Sequence, residues 1–284
     1  MMPRQMPRAP AGPPAVEASP FAETLRRLSA LDAGGLNLSA RPGVPSEPGW
    51  TTAADLTGTN EEHLGELLRL VSRQYATGDR AVAGTLFLRG YLWRILVPSV
   101  AALLTERRLP DLGPENVALS FDERGAAAGL AFGHRFAVLE GDPGAASSGA
   151  TVLAGEGEML ELVGEGLARG HLPGLFSALR RYGVRRAERA LWGVSADILA
   201  EAFTWAGSAL GRDGEARDFA ERALDGSPHL PGKTNFFVLE QDGVSEWTRT
   251  RNACCLYYKI SGEVCPTCPR IPKRERLRHP VPER

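Results

Sequence analysis

All four cysteines of this 284-residue chain lie in one short segment near its end. Two are adjacent, nine residues follow, and the last two are separated by two residues, at Cys254, Cys255, Cys265 and Cys268. Cysteines that only fill a hydrophobic core behave as small apolar residues and scatter along a sequence. The clustering therefore predicts a metal site around which the C-terminal segment has to fold.

The spacing within this group favours an iron–sulfur cluster. Cys265 and Cys268 have the two-residue gap that lets both thiolates reach one metal ion from a tight turn. The adjacent side chains of Cys254 and Cys255 diverge, so they are awkward ligands for a single tetrahedral ion. A [2Fe–2S] cluster divides four thiolates between two irons, so the adjacent pair could bind different irons or share one. We therefore predict that all four cysteines hold a [2Fe–2S] cluster.

Other uses of the cysteines stay open at this stage. Structural zinc usually takes two separated cysteine pairs, and this sequence has one such pair. Disulfides would suit a secreted chain, but residues 1–20 are rich in Pro and Ala and lack the apolar run of a secretory signal. We therefore expect a cytoplasmic protein with reduced cysteines, and we keep zinc, disulfides and unligated core cysteines as alternatives.

Two segments carry a family resemblance. Residues 251–258 read Arg-Asn-Ala-Cys-Cys-Leu-Tyr-Tyr, and residues 265–268 read Cys-Pro-Thr-Cys. Together they resemble the C-terminal signature of the FhuF-like ferric siderophore reductases, in which four cysteines hold a [2Fe–2S] cluster. That family usually has ten residues between the double cysteine and the second pair, whereas this chain has nine, a difference that a loop absorbs. The match covers roughly residues 247–270, and the stretch at 189–193 is similar to the domain that precedes the cluster in that family.

The resemblance implies one-electron reduction of Fe(III) to Fe(II) in a ferric siderophore, with release of the iron. Hard oxygen ligands hold Fe(II) less well than Fe(III), so reduction loosens the chelate. The glycines between Gly155 and Gly170 do not have dinucleotide-binding spacing, so an external donor, a ferredoxin or a flavoprotein reductase, has to supply the electron. Arg249, Arg251 and Lys259 are candidates for tuning the cluster or docking the chelate.

Two other functions remain as alternatives. One is a zinc-stabilised protein-binding module, in which the cysteine segment is structural. The other is an iron–sulfur sensor of redox state or iron that does not turn over a chelate. Zinc is colourless, so a visible absorption spectrum separates the first alternative from an iron–sulfur protein.

The charge distribution indicates which classes of molecule the protein could bind. The formal net charge is −1, yet the chain from Arg249 onward has nine Lys or Arg against three Glu. Such a basic region could steer an anionic chelate or an acidic electron donor. The acidic remainder and the lack of interleaved aromatic and basic residues argue against binding of nucleic acid.

The longest apolar stretch, Tyr91 to Leu104, contains Arg94 and Pro98 and is too short to span a bilayer, so we expect at most peripheral membrane contact.

Hydrophobic periodicity predicts an α+β chain that is mainly α: a helical bundle with a small antiparallel sheet and a C-terminal cysteine-rich segment. Helices are predicted at 20–31, 61–76 with Asn60 as N-cap, from Asp79 to 104 with a break at Pro98, 158–181 with a break near Pro173, 185–210 and 215–224. Strands are predicted at 116–121, 129–132 and 135–139 in one antiparallel sheet, and at 235–239.

The domain organisation follows from these elements. We predict a disordered or irregular N-terminal segment with one short helix over 1–50, of which residues 1–17 are disordered, and a helix-rich FhuF-like domain with the small sheet over 51–245. The cluster-binding segment covers 246–270, and a basic tail covers 271–284.

Overall fold

A computed structural model of the chain describes residues 19–31, 33–58, 61–225, 227–241 and 244–272. Three sequence predictions fall outside this range: disorder in residues 1–17, the N-cap at Asn60, and residues 273–284 of the basic tail. The division into four segments stays a prediction. The mainly helical α+β class is confirmed.

Helices form most of the core. Their bounds are α1 Pro20–Ser29, α2 Ala53–Thr57, α3 Glu61–Gln74, α4 Arg80–Glu106, α5 Glu156–Glu165, α6 Leu172–Arg181, α7 Glu188–Ala209, α8 Asp213–Leu224 and α9 Tyr258–Ser261. The long helices α4 and α7 pack against each other, and α8 packs against α7. Most residues of α4 and α7 are buried, since both are apolar on several faces.

Helix α4 differs from its prediction in one respect. Asp79 caps it as predicted, with its carboxylate accepting a hydrogen bond from Ala81 N at 2.9 Å. The predicted break at Pro98 is wrong, because the helix continues to Glu106. A proline inside a helix costs about 3 kcal/mol, and the burial of almost every side chain between Val82 and Leu104 outweighs that cost.

The full length of α4 also bears on whether this segment is long enough to span a bilayer. Taken over 27 residues, α4 is long and apolar enough to cross a bilayer by length and composition, so the stretch predicted to be too short belongs to a longer helix. In this structure, 83% of its most apolar window is buried within the fold. The helix is therefore packed as a core helix of the protein.

The predicted helix at 158–181 is interrupted before Pro173. Its first part is α5, residues Gly166–His171 form a π-helical turn, and α6 then carries Pro173 in its first turn. The π turn is held from inside, because His171 is fully buried between the Tyr91 hydroxyl at 2.5 Å and the Leu112 carbonyl at 2.7 Å. The break is therefore a π-helical turn in which the buried His171 contacts two partners. Pro173 follows directly, in the first turn of α6.

The strands form three small sheets. Their bounds are β1 Arg41–Pro42, β2 Trp50–Thr52, β3 Arg108–Pro110, β4 Val117–Phe121, β5 Ala127–Phe132, β6 Phe136–Leu139, β7 Ala150–Leu153, β8 Phe236–Gln241 and β9 Val244–Arg249. The orders are β1-β5-β4-β2, β3-β6-β7 and β8-β9. The antiparallel hairpin of β4 and β5 agrees with the prediction, and Gly125 in its turn has φ +78°.

The predicted third strand belongs to a different sheet. β6 pairs with β3 antiparallel and with β7 parallel, so it does not extend the β4–β5 hairpin. The chain turns away after β5, where the buried Asn116 side chain donates to the carbonyls of Asp111 at 2.8 Å and Arg135 at 3.0 Å. These side-chain hydrogen bonds take the place of strand pairing at that point. The residues that form them are too far apart in the sequence for hydrophobic periodicity to reveal the contacts.

Candidate metal centre

The four cysteines converge in the C-terminal loop that follows β9. Cys254 and Cys255 lie before α9, and Cys265 and Cys268 lie after it in a turn closed by a Cys268 N to Cys265 O hydrogen bond of 2.9 Å. Arg251 N donates to Thr267 O at 2.9 Å and ties the two segments together. All four cysteines are free thiols, so the structure contains no disulfide among them.

The thiols face each other as two pairs. Cys255 is hydrogen-bonded to Cys265, and Cys254 is hydrogen-bonded to Cys268. The bond from Cys265 lowers the pKa of Cys255 to about 5, helped by the nearby charges of Arg89 and Arg251. The same bond together with burial raises the pKa of Cys265, and burial raises the pKa of Cys268. The pair of Cys255 and Cys265 thus readily loses its first proton and holds the second.

Several N–H groups point at these sulfurs. Leu256 N donates to Cys254 Sγ at 3.4 Å, Tyr257 N donates to Cys255, and Arg270 N donates to Cys268. Leu256 has φ +66°, a left-handed conformation that is uncommon for a side chain of its kind. Donors of this type stabilise negative charge on cluster thiolates and tune the cluster potential.

The donor set fits a [2Fe–2S] cluster. Such a cluster needs two thiolates on each iron, and the structure supplies two close thiol pairs with N–H donors around them. Within the described ranges, no group of three or more His, Cys, Asp or Glu side chains is placed to hold a metal ion. The fit therefore rests on the donor chemistry and on the two thiol pairs.

A buried aspartate on α7 holds the loop that carries the first two cysteines. Asp197 is 1% exposed, and its carboxylate accepts hydrogen bonds from Asn252 N at 2.7 Å, Asn252 Nδ2 at 2.9 Å and Ala253 N at 3.0 Å. It also forms a short ion pair with Arg249, which donates to the Asp197 carbonyl at 2.7 Å. Burial raises the pKa of Asp197, while Arg249 and the N–H donors act in the opposite direction.

One turn further along α7, Glu201 organises the cations beside the thiols. Its carboxylate lies 2.7 Å from Arg251 Nε and 3.6 Å from Arg89 Nη2. The other end of the Arg251 guanidinium donates to Cys255 Sγ at 3.4 Å. Glu201 therefore fixes the arginine that contacts the cysteine, and both side chains are largely buried.

The sequence analysis missed Asp197 and Glu201, although the sequence contains a signal. Both are acidic residues four apart in a helix whose other positions on that face are apolar. A buried carboxylate needs a hydrogen-bond donor or a cation as its partner. An acidic residue on an apolar helix face therefore indicates that such a partner lies next to it in the fold. The sequence did not indicate that the partners would be the cysteine loop and its arginines.

The three cations named from the sequence have different roles. Arg251 contacts Cys255, as described above. Arg249 is buried in its ion pair with Asp197, and Lys259 forms an ion pair with Asp79 at 2.6 Å, which ties α9 to the start of α4.

A close contact between α7 and the cysteine loop yields a testable prediction at Gly193. A Cβ atom at this position would lie 2.9 Å from the Ala253 Cβ, so Gly193→Ala forces the loop to shift. We expect about 1 kcal/mol of destabilisation and a lower iron content, because overpacking exceeds the helix-propensity gain. Urea unfolding and iron analysis measure both effects.

Gly157→Ala is the matched control, since a Cβ at Gly157 in α5 meets nothing within 4 Å. We expect this control to leave iron content unchanged and to stabilise the protein by up to about 0.5 kcal/mol. If Gly193→Ala behaved like Gly157→Ala, the close packing of α7 on the loop would be disproved.

A cleft opens directly onto one thiol pair. It has a volume of about 690 Å³, and Cys255 and Cys265 line it whereas Cys254 and Cys268 do not. We call it the aromatic cleft because of the rings in its wall, those of Tyr75, Trp93, Trp205, Phe236, Trp247 and Tyr257. Its charged lining residues are Glu201 and the arginines 89, 217, 249 and 251. The volume is in the range of small-molecule sites.

The fold and this site define the class of protein: a mainly helical α+β protein with four clustered cysteines and a cleft of small-molecule size beside two of them. Residues 85–248 match the family model described as ferric iron reductase FhuF-like transporter, and residues 251–270 match the FhuF 2Fe-2S C-terminal domain. The chain belongs to the FhuF-like ferric iron reductase family, and its cofactor is a [2Fe–2S] cluster. The resemblance found in the sequence is thereby confirmed.

Other comparisons add little. No curated protein matches the chain. The structure of aerobactin synthetase IucC from a hypervirulent pathotype of Klebsiella pneumoniae is similar over 58% of this chain and 31% of that chain, with 16% identity and a TM-score of 0.41. A likeness at that level carries no argument about fold or function.

Proposed function

We propose that this protein is a cytoplasmic ferric siderophore reductase, which reduces chelated Fe(III) to Fe(II) by one-electron transfer. The observation that supports this most directly is the opening of the aromatic cleft onto Cys255 and Cys265. A chelate bound in the cleft would lie against residues that we assign as cluster ligands. Family membership supports a redox role on ferric iron.

Within this proposal, Cys254, Cys255, Cys265 and Cys268 hold the cluster. When bound, a [2Fe–2S] cluster supplies one electron at a time. The N–H groups of Leu256, Tyr257 and Arg270 would stabilise the thiolate charge on their respective sulfurs. The side chain of Arg251 places a cation beside Cys255 in the wall of the cleft, where it can stabilise the negative charge that reduction adds.

The substrate side of the reaction needs little further chemistry. Fe(III) in the chelate takes up one electron and becomes Fe(II), and hard oxygen donors release the softer ion more readily. No proton transfer is needed for the electron step itself, so the residues of the cleft have to bind, orient and exclude water. A separate donor, a ferredoxin or a flavoprotein reductase, would return the electron to the protein.

Anaerobic stopped-flow mixing tests the proposal. Protein reduced with dithionite, freed of excess reductant, is mixed with ferric hydroxamate, catecholate and carboxylate chelates, and the return of the oxidised visible spectrum is followed. We expect reoxidation that saturates with chelate concentration and the appearance of Fe(II) in a ferrous trap. If none of the chelates reoxidised the protein, the reductase function would be refuted, and a sensor role would take its place.

The charged side chains beside the thiols lead to a prediction about the midpoint potential of the cluster. Arg251→Gln removes a donor and a positive charge next to Cys255 Sγ, so it should lower the midpoint potential by about 50 mV. Glu201→Gln removes a negative charge from the same site and should raise the potential. Spectroelectrochemical titration of the purified holoprotein measures both shifts.

Arg169→Gln is the control for these variants, because Arg169 is exposed on the π turn and pairs only with Glu165 among the described residues. Its potential should match that of the unmodified protein, since an exposed charge is screened by salt. Shifts of the same sign in Arg251→Gln and Glu201→Gln would contradict an electrostatic role for this pair.

A further inference from the structure

The second thiol pair lies apart from the aromatic cleft. Cys255 and Cys265 line the cleft, whereas Cys254 and Cys268 do not. Cys254 is nevertheless partly exposed, so the protein does not enclose this second pair completely. A protein that takes an electron from one partner and passes it to another gains from two contact points, because neither partner has to leave before the other binds. The second pair offers such a contact point.

Arginines from the start of α7 surround the exposed side of Cys254. Arg186, in the turn before α7, donates from its guanidinium to the Cys254 carbonyl. Arg185 and Arg189 lie beside it along the chain, and both are exposed. Arg189 precedes Gly193 by one turn on the face of α7 that packs on the cysteine loop. The start of α7 therefore places three positive charges next to the second thiol pair.

A fourth arginine comes from the other cysteine segment. The backbone N–H of Arg270 donates to Cys268, and its exposed guanidinium lies over the Tyr258 ring, 4.5 Å from the centroid. Its Nη1 also donates to the Tyr258 hydroxyl at 2.8 Å, and the charge of Arg186 acts on the same tyrosine. The cations from the two segments therefore form one surface. We call this surface the arginine patch, which consists of arginines 185, 186, 189 and 270.

The structure itself does not use the charges of the arginine patch. Among the described residues, none of its four arginines forms an ion pair, while the acidic neighbours are paired elsewhere, Glu188 with Arg180 and Asp79 with Lys259. Positive charges at the start of a helix oppose the helix dipole, and like charges repel each other. Neither helix formation nor ion pairing therefore accounts for the patch, which instead suits a negatively charged partner.

We propose that an acidic one-electron carrier protein of the ferredoxin type docks on the arginine patch and delivers its electron on the side of Cys254, away from the aromatic cleft. This inference rests on the proposed function and names the place and chemistry of its electron donor. The reduced carrier loses one electron and this protein gains it, so no bond forms or breaks. Complexes for electron transfer are small and weak, and opposite charges speed their formation.

Stopped-flow reduction without any chelate tests the docking. A reduced, acidic plant-type [2Fe–2S] ferredoxin is mixed anaerobically with the oxidised holoprotein, and the bleaching of the visible absorption is followed at low and high salt. We expect a second-order rate constant that falls at least about tenfold as salt rises, because salt screens the attraction between the two surfaces. A rate that is independent of salt, or no reduction at all, would overturn the proposal.

A double variant assigns the effect to the patch. Arg185→Gln with Arg189→Gln changes two exposed side chains that contact no cysteine, and it should slow reduction by ferredoxin at least about tenfold at low salt. Calorimetry with oxidised ferredoxin should show weakened binding as well. The control is Arg124→Gln with Arg169→Gln, which removes the same total charge at exposed sites elsewhere in the fold. Equal rates in the two double variants would show that the patch is not the docking site.

Three further measurements separate docking from other effects. Reduced methyl viologen, a small cation, should reduce the patch variant at least as fast as the unmodified protein, and slower reduction would point to damage at the centre. Trp205→Ala, in the wall of the cleft, should slow reduction by ferredoxin less than the patch variant does, and the reverse order would place the carrier at the cleft. If the patch variant lost binding to phosphatidylglycerol vesicles but kept the control's rate with ferredoxin, the patch would be a membrane contact.

The outcome is separable from that of the proposed function. Reduction by ferredoxin is measured without a chelate, whereas reoxidation by ferric chelates is measured without ferredoxin. Reduction that depends on the patch, together with no reoxidation by any chelate, would keep the docking site and refute the reductase. Reoxidation by chelates, together with reduction by ferredoxin that does not depend on the patch, would keep the reductase and overturn the docking site.

Discussion

An Asp197→Ala variant is expected to lose about 3–5 kcal/mol of stability and most of its iron. The substitution leaves the buried Arg249 guanidinium without its counter-charge and removes the acceptor for three N–H bonds from Asn252 and Ala253. Because these bonds position the backbone directly before Cys254, the first two cysteines would no longer be held near the second two. Guanidinium unfolding and iron and sulfide analysis of anaerobically purified protein measure the two losses.

Two further variants show whether the effect comes from this buried network. Asp218→Ala removes an exposed aspartate that pairs with Arg222 at 3.1 Å, and it should cost no more than about 1 kcal/mol. Asp197→Asn preserves the shape but not the charge, and it should fall between the control and Asp197→Ala. Normal iron content and stability in Asp197→Ala would show that the loop holds its position without this aspartate.

A Cys265→Ser variant is expected to lose the visible absorption of the cluster and to reduce ferric chelates roughly 100-fold more slowly. Cys265 lines the aromatic cleft and is hydrogen-bonded to Cys255, so it is both a proposed ligand and one of the two cysteines that line the cleft. Loss of a ligand also lowers stability, because the free energy of metal binding contributes to folding. Absorption spectra, iron and sulfide content and stopped-flow reoxidation together test the assignment.

Thr267→Ser is the matched control, since Thr267 lies in the same turn and also lines the cleft. The contact that it makes with Arg251 N uses its backbone carbonyl, which the substitution keeps. The control should retain two irons per chain and the spectrum of the unmodified protein. If Cys265→Ser also retained them, Cys265 would be removed from the set of ligands.

Much of the fold follows from local sequence patterns. The helices from Glu61 to Gln74 and from Glu188 to Ala209 appear where periodicity predicts them, because an amphipathic or apolar helical repeat is contained in consecutive residues. The β4–β5 hairpin is equally local, since its turn joins adjacent strands. The pairing of β6 with β3 and β7 and the continuation of α4 past Pro98 are not local, and the sequence analysis was wrong on both.

The cofactor was determined by the sequence itself, since the identity and spacing of Cys254, Cys255, Cys265 and Cys268 define which metal centres the loop can hold. Only the tertiary structure decided which thiols face each other, which of them open onto the cleft, and that Asp197 and Glu201 support them. Ligand chemistry is carried by the residues of one short segment. Charge compensation and the position of the loop depend on contacts between residues fifty or more positions apart, and those exist only once α7 has packed against the C-terminal loop.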